Sequence, residues 1–353
     1  MNLRLDKLLI RLSQAKIDGL LVSRDANVSY LCGFESADSW MLVTPKKSFY
    51  ITDFRYVQQV KNDLKYINLF QYKQNIFKGV FGLCRDLKIK RLGFEANGLS
   101  YGQYKKLKNT LASGFSFKAT SNLVEDLRQI KEPVEIEKIR QSLKLTKEAF
   151  EFLKTVIKPG AREMDIATEL EYFIRQGGGK LAFAPIIASG INSVYPHAKI
   201  TSKKIAKNEA ITVDIGIDFD GYKSDLTRVF FLGKIPLFCK KIYKIILEAQ
   251  AKVIKEIAAG QPAKKIDALA RNHIKQKGLG RFFGHSLGHG VGLEVHEAPR
   301  ISATSKVKIE KGMVLTVEPG IYIPGKFGVR IEDMVLVKEK GCEVLSGFIH
   351  KSN

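Results

Sequence analysis

Cysteine is scarce: four residues, Cys32, Cys84, Cys239 and Cys342, scattered over 353 positions with no C-x-x-C pair. That spacing excludes a disulfide framework and a cysteine-built zinc or redox centre, and leaves the thiols as small core side chains of a reducing compartment. Long apolar runs are also missing. Nothing approaches the roughly 18 residues a membrane span needs. The opening "MNLRLDKLLIRLSQAKIDGLLV" resembles a signal peptide in its early arginine and leucines, but Leu5, Leu8, Leu9 and Leu12 keep helical spacing and are interrupted by Asp6, Lys7 and Arg11. An amphipathic first helix is expected, and with it a cytoplasmic protein. Acid is the third shortage, with 36 acidic against 58 basic residues and a net charge of +22. Such an excess attracts polyanions. The lysines nevertheless run through the whole chain without a block or an aromatic nucleic-acid motif, so nucleic acid is not expected as a partner, and neither is a membrane.

With 45% hydrophobic residues, the chain belongs among soluble globular proteins, and its length favours two domains. From the start to about residue 126, "GLLVS", "WMLVTP", "SFYITD" and "RLGFEA" read as strands, and 53–63 and 100–112 as helices. No ligand-like cluster stands out in this half. A charged, helix-rich passage follows, with Pro133 suited to a first helical turn, so domains of 1–130 and 131–353 are expected. Helices are expected at 134–157, 164–176, 238–257 and 263–277, with strands between and after them. The fold class is α/β, in the mixed α+β sense.

Only six histidines occur, and three of them fall with four glycines in "GHSLGHGVGLEVHEAP", residues 284–299. His285 and His289 have the i,i+4 spacing of a zinc helix. Glycines around them would each cost about 1 kcal/mol in a helix interior, and Ser286 stands where the metalloprotease helix needs glutamate. A glycine-rich loop or irregular strand is expected instead, its chemistry completed from elsewhere.

"ITVDIGIDFDGYKSDLTRVFF" supplies part of that completion. Asp220-Gly221 is a two-residue hairpin signal. It pairs Phe219 with Tyr222, Gly216 with Asp225 and Asp214 with Thr227. Val213, Ile215, Ile217 and Leu226 then share an apolar face, and Asp214, Asp218, Asp225 and Thr227 a polar one. Asp214 and Asp225 become diagonal neighbours at roughly 7–8 Å. An ordinary hairpin with one wet face has the same alternation. In "GMVLTVEPGIYIPGKFGVRIEDMVLV", Glu318 ends one apolar run and Glu332 lies inside another, with Arg330 on the same face. Acids embedded in apolar strands are costly unless paired or bound to metal. Asp214, Asp225, His289, Glu318 and Glu332 together make four carboxylates and one imidazole, a donor set suited to two divalent cations. The glycines around His289 would let backbone approach that centre closely.

The C-terminal half resembles the pita-bread metallopeptidases, in the proline-specific branch that includes aminopeptidase P and prolidase. The resemblance runs in order through "SGINSVYPHA", "VDIGIDFDGYKSDLTR", "GHSLGHGVGLEVHEAP", "TVEPGIYIPG" and "GVRIEDMVLV". The N-terminal half resembles that branch's creatinase-like domain. The resemblance implies that Asp214 binds one metal, His289 and Glu318 the other, and that Asp225 and Glu332 bridge them. It implies catalytic or substrate-binding roles for His197 and His296, and a place for His285 near the proline ring. Arg330 would support the metal carboxylates, Arg300 would meet the dipeptide carboxylate, and Glu318 would accept the proton of the attacking water. His273 and His350 lie outside every motif. The implied activity is hydrolysis of Xaa-Pro bonds in dipeptides or at peptide N-termini by a homodimer. The implied cofactor is a pair of divalent ions, Mn²⁺ first, with Co²⁺, Zn²⁺ or Fe²⁺ suited to the same donors. A methionine aminopeptidase would share the metal set but lack the large N-terminal domain. A non-catalytic basic binding protein on the same scaffold is the rival from another class.

Overall fold

The computed structural model describes residues 3–111 and 115–351. The chain divides into two units, 1–128 and 129–353.

The first unit is built on a six-stranded sheet in the order Asn68–Gln71, Ser48–Thr52, Trp40–Val43, Gly19–Val22, Arg91–Glu95, Ser116–Thr120. The four inner strands are those expected from their apolar runs. Gly19–Val22 pairs antiparallel with Trp40–Val43 and parallel with Arg91–Glu95, so its four residues are buried on both faces. Both outer strands went unrecognised because edge positions carry mixed, half-exposed residues without clear alternation. Helices Phe54–Val60 and Tyr101–Leu111 form where expected, and Ile76–Asp86 adds a third, started by the Asn75 side chain accepting from Lys78 N–H. Leu21, Leu42, Ile51, Val80 and Leu92 lie in its core. Leu5, Leu8 and Leu12 are buried along the first helix, Leu3–Gln14.

The second unit begins as Pro133 enters the first turn of the helix Pro133–Val156, where Glu132 and Glu135 form a reciprocal capping box. Glu163–Gln176, Leu237–Glu256 and Ala263–Gln276 complete two long-short helix pairs close to the expected bounds. Each pair covers its own core. Leu145, Phe150, Leu170 and Ile174 of the first pair pack with Ile211, Val213, Ile215 and Leu226 of the sheet Ile186–Ser189, Ala210–Ile215, Leu226–Phe231. Ile242, Ile246, Val253, Ile266 and Ile274 of the second pair pack with Leu315, Val317 and Val335. The latter belong to a five-stranded sheet in the order Glu297–Ile301, Gly288–Gly290, Val314–Val317, Asp333–Val337, Cys342–Val344.

The hairpin register is the expected one: Phe219 faces Tyr222, and Asp214 faces Thr227. Its polar face, however, is not in water, since Asp214, Asp225 and Thr227 are all buried. The second segment holds four strands rather than two, because a hairpin, Gly320–Ile323 with Phe327–Arg330, is inserted between Val314–Val317 and Asp333–Val337. Glu332 therefore sits in the break before Asp333–Val337, not inside a strand. There its N–H donates to the Thr227 carbonyl at 3.2 Å.

Candidate metal centre

"GHSLGHG" becomes a short strand, Gly288–Gly290, with a bulge between His289 and Gly290. Its glycines admit neighbouring strands rather than clearing room for a metal. A Cβ at Gly288 would collide with the Thr316 carbonyl oxygen, and one at Gly290 with that of Ala298. Clamped from both sides, His289 has little choice of direction. Its N–H donates to Thr316 Oγ1 at 3.1 Å, and its Nδ1 lies 3.1 Å from the Gly290 carbonyl oxygen. A carbonyl only accepts, so Nδ1 carries the proton and Nε2 presents its lone pair.

That lone pair faces acceptors. His289 Nε2 lies 3.4 Å from Glu318 Oε1 and 3.5 Å from Asp225 Oδ2. Donor atoms converge within 4.8 Å in the groups Asp214, Asp225, Glu332 and His289, Glu318, Glu332, and in a third, Asp225, His289, His296. All five expected ligands are thus brought together, with Asp225, Glu332 and His289 each in two groups. Asp214 Oδ1 and Glu332 Oε1 are buried without a hydrogen-bond partner. Orphaned carboxylate oxygens beside an imidazole lone pair are unfavourable alone and fit divalent cations well. Burial first, and the neighbouring carboxylates next, push the Asp225 carboxyl well above its ordinary range. Glu332 is pushed up the same way, again by burial first. Burial raises Asp214 too, against the opposing pull of Arg330. Glu318 differs: burial raises it, but the neighbouring His289 and His285 rings and the Arg330 guanidinium outweigh that, and its carboxyl is lowered.

Arg330 is buried among these acids and holds them in place. Its Nη2 donates to Asp214 Oδ2 at 2.5 Å, its Nε to Thr227 Oγ1 at 3.0 Å, and its Nη1 to Tyr322 Oη at 2.7 Å and to the Pro196 carbonyl at 3.0 Å. Thr227 Oγ1–H in turn donates a hydrogen bond to Glu332 Oε2 at 2.8 Å. Below them Arg228, fully buried, donates to the carbonyls of Thr227 and Glu332, to Asp333 Oδ1, and to the carbonyls of Ile349 and His350.

Above the carboxylates opens a cavity of about 870 Å³. His197, His285, His296 and Arg300 line it, so every expected site residue faces this one space. His197, His296 and Arg300 are exposed at its walls; Arg300 Nε donates to Ser286 Oγ at 3.2 Å. The His296 ring meets that of His289 edge-on at 4.3 Å, and although its outer edge is in solvent, partial desolvation and then the neighbouring His289 lower its pKa. His285 has both nitrogens engaged: Nδ1–H donates to the Ser286 carbonyl at 2.7 Å, so Nε2 accepts from Tyr322 Oη at 3.1 Å. Its ring, lying edge-on to Phe283, is what it offers the cavity. Outside the cavity, His273 is buried with Nε2 3.2 Å from Glu248. Sequence reasoning missed Tyr322 and the supporting role of Thr227. Alternation would have found Tyr322, since Ile321 and Ile323 on either side face the core.

Comparison with known proteins gives the same outline. Residues 137–339 match the model of metallopeptidase family M24, and residues 4–130 that of the creatinase/prolidase N-terminal domain. The chain is 35% identical to a Xaa-Pro dipeptidase of Pyrococcus horikoshii over 98% of this chain and 97% of that one. Among solved structures, a Xaa-Pro dipeptidase from Bacillus anthracis superposes with a TM-score of 0.94 at 38% identity, covering 98% of this chain and 97% of its own. An X-Pro aminopeptidase from Thermotoga maritima superposes with a TM-score of 0.90 at 36% identity, covering 97% and 99%.

Proposed function

The chain belongs to metallopeptidase family M24, and from that premise we propose how its cavity works as a metal-dependent Xaa-Pro peptidase. The observation that carries the reading is the buried convergence of four carboxylates and the His289 lone pair beneath an open cavity. Asp214 would hold one divalent ion, His289 and Glu318 the other, and Asp225 and Glu332 both. Bound there, the ions supply the Lewis acidity that activates water near neutral pH and polarises a scissile carbonyl. Mn²⁺ is the cation we assign first, and a cytoplasmic homodimer the working form, with domains 1–130 and 131–353.

An Xaa-Pro bond is a tertiary amide with no N–H and a fixed ring, so it needs a shaped apolar wall rather than a β-strand-like grip. Phe183, Ile200, Val295 and the His285 ring provide such a wall. Glu318, whose carboxyl stays ionised, accepts the proton of the attacking water. His296 and His197 stabilise the developing oxyanion or carry a proton to the prolyl nitrogen. Arg330 keeps Asp214 and, through Thr227, Glu332 aimed inward. At the cavity wall Arg300 meets a free C-terminal carboxylate, which favours dipeptides over longer peptides.

The test is a comparison of Xaa-Pro dipeptides with Xaa-Pro-Yaa tripeptides, using purified protein loaded with Mn²⁺ or Co²⁺. Faster turnover of dipeptides is expected. Cleavage of Met-Ala peptides in their place would support a methionine aminopeptidase. No turnover with any metal, alongside salt-sensitive nucleic-acid binding, would support a non-catalytic basic scaffold.

A further inference from the structure

Glu163, the first residue of the helix Glu163–Gln176, is fully buried yet lines no part of the cavity. Its carboxylate gathers two stretches of chain. Oε1 accepts from Ser189 N–H and Ser189 Oγ, both at 2.8 Å, and Oε2 from Thr201 Oγ1 at 2.6 Å and Thr201 N–H at 3.3 Å. Asn192 Nδ2 reaches both oxygens, at 3.1 and 3.0 Å. Between those anchors runs the segment whose residues 196–200 line the cavity, His197 among them. Lys203 Nζ donates to Ser189 Oγ at 2.7 Å and to Glu209 Oε1 at 2.7 Å, so the nearby ammonium is paired with Glu209 and the hydrogen bonds to Glu163 come from neutral donors.

The other helix pair shows what this corner needs for folding alone. Glu163 N–H donates to the Lys203 carbonyl and Ala263 N–H to the Val307 carbonyl, while the isolated bridges Arg162–Lys204 and Pro262–Lys308 also match. At the matching place alanine suffices. The carboxylate is therefore an addition to a corner whose backbone already closes. We propose that Glu163 is a positioning residue, which ties the two ends of segment 189–201 together and so holds His197 at the cavity wall.

The proposal rests on the peptidase reading for its kinetic arm only. In the metal-loaded full chain, Glu163→Ala is expected to lower kcat about 10- to 100-fold while moving KM little, as displacement of an otherwise intact group does. Glu163→Ala with His197→Ala should be no slower than His197→Ala alone, whereas Glu163→Ala with His296→Ala should multiply the two losses. Glu163→Gln, keeping the volume and one accepting oxygen, should recover part of kcat. Thr201→Val, at an exposed position that threatens the fold less, should lose less in the same direction. In the metal-free protein, Glu163→Ala should speed backbone hydrogen exchange across 189–201 and leave 285–290 unchanged. Multiplying losses for Glu163→Ala and His197→Ala, or unchanged exchange across 189–201, would overturn the proposal. Should the parent cleave no Xaa-Pro peptide, the functional reading fails and the exchange measurement still decides the anchor.

Discussion

Gly160 and Gly260 occupy matching places in the second unit: each follows a long helix, precedes a short one, and donates its N–H to an isoleucine carbonyl, Ile205 and Ile309 respectively, at 2.8 Å. The two helix pairs share this frame but differ in what they carry. From the first half come Asp214 on the strand Ala210–Ile215, Asp225 just before the strand Leu226–Phe231, and His197 in the loop that follows Ile186–Ser189. From the second come His289, Glu318, Glu332 and His296, displayed on a bulged strand and on strand ends. The framework repeats because helix-on-sheet packing tolerates many side chains; the donors do not, because chemistry at the meeting place is asymmetric. Two hydrogen bonds join the halves at the carboxylates, Thr227 to Glu332 and Arg330 to Asp214.

The severest way to break this division of labour is to remove a donor shared between the metal groups. Glu332→Ala should lower kcat/KM by about a thousandfold or more, and elemental analysis should show lost metal, because charge stabilisation goes with it. Next come the two wall histidines, one from each half. His296→Ala and His197→Ala should each cost about a hundredfold in kcat with metal content retained. Equal pH profiles for both variants would mean that the halves are not specialised. Arg300→Ala should raise KM for dipeptides about tenfold and for tripeptides by less.

The smallest effect is on stability. Asp225 and Glu332 have carboxyls raised in the fold, so they bind protons more tightly folded than unfolded. Their contribution to the metal-free protein is present below the ordinary carboxylate range and is lost as pH rises. Thermal melting of the metal-free protein should therefore fall from pH 5 to pH 8 by a few degrees, roughly what 1 kcal/mol yields in a domain this size, while added Mn²⁺ closes the gap. A gap that narrows with rising pH would contradict the assignment.

Much of this was legible because periodicity and turn chemistry are local. Asp220-Gly221 set a register that places Asp214 opposite Thr227, and apolar spacing marked the four helices of the two long-short pairs. Donor convergence was readable from acids standing in apolar surroundings. What escaped depends on partners distant in sequence. Alternation assigns Asp214 to a polar face but cannot say that the face is buried under Arg330, 116 residues away. The glycines beside His289 signalled close approach, expected toward the metal centre, whereas what they admit is the backbone of strands Glu297–Ile301 and Val314–Val317. Glu163 stands just before the expected helix 164–176 with nothing local to mark it, because its donors lie 26 to 38 positions on.

Arg228 grips the Thr227 and Glu332 carbonyls with the same planar group that grips Ile349 and His350. A guanidinium is rigid, so tugging one set of its acceptors disturbs the other. A pull on the chain at Ile349 and His350 is therefore transmitted to the Thr227 and Glu332 carbonyls, next to the carboxylate that Glu332 turns toward the cavity.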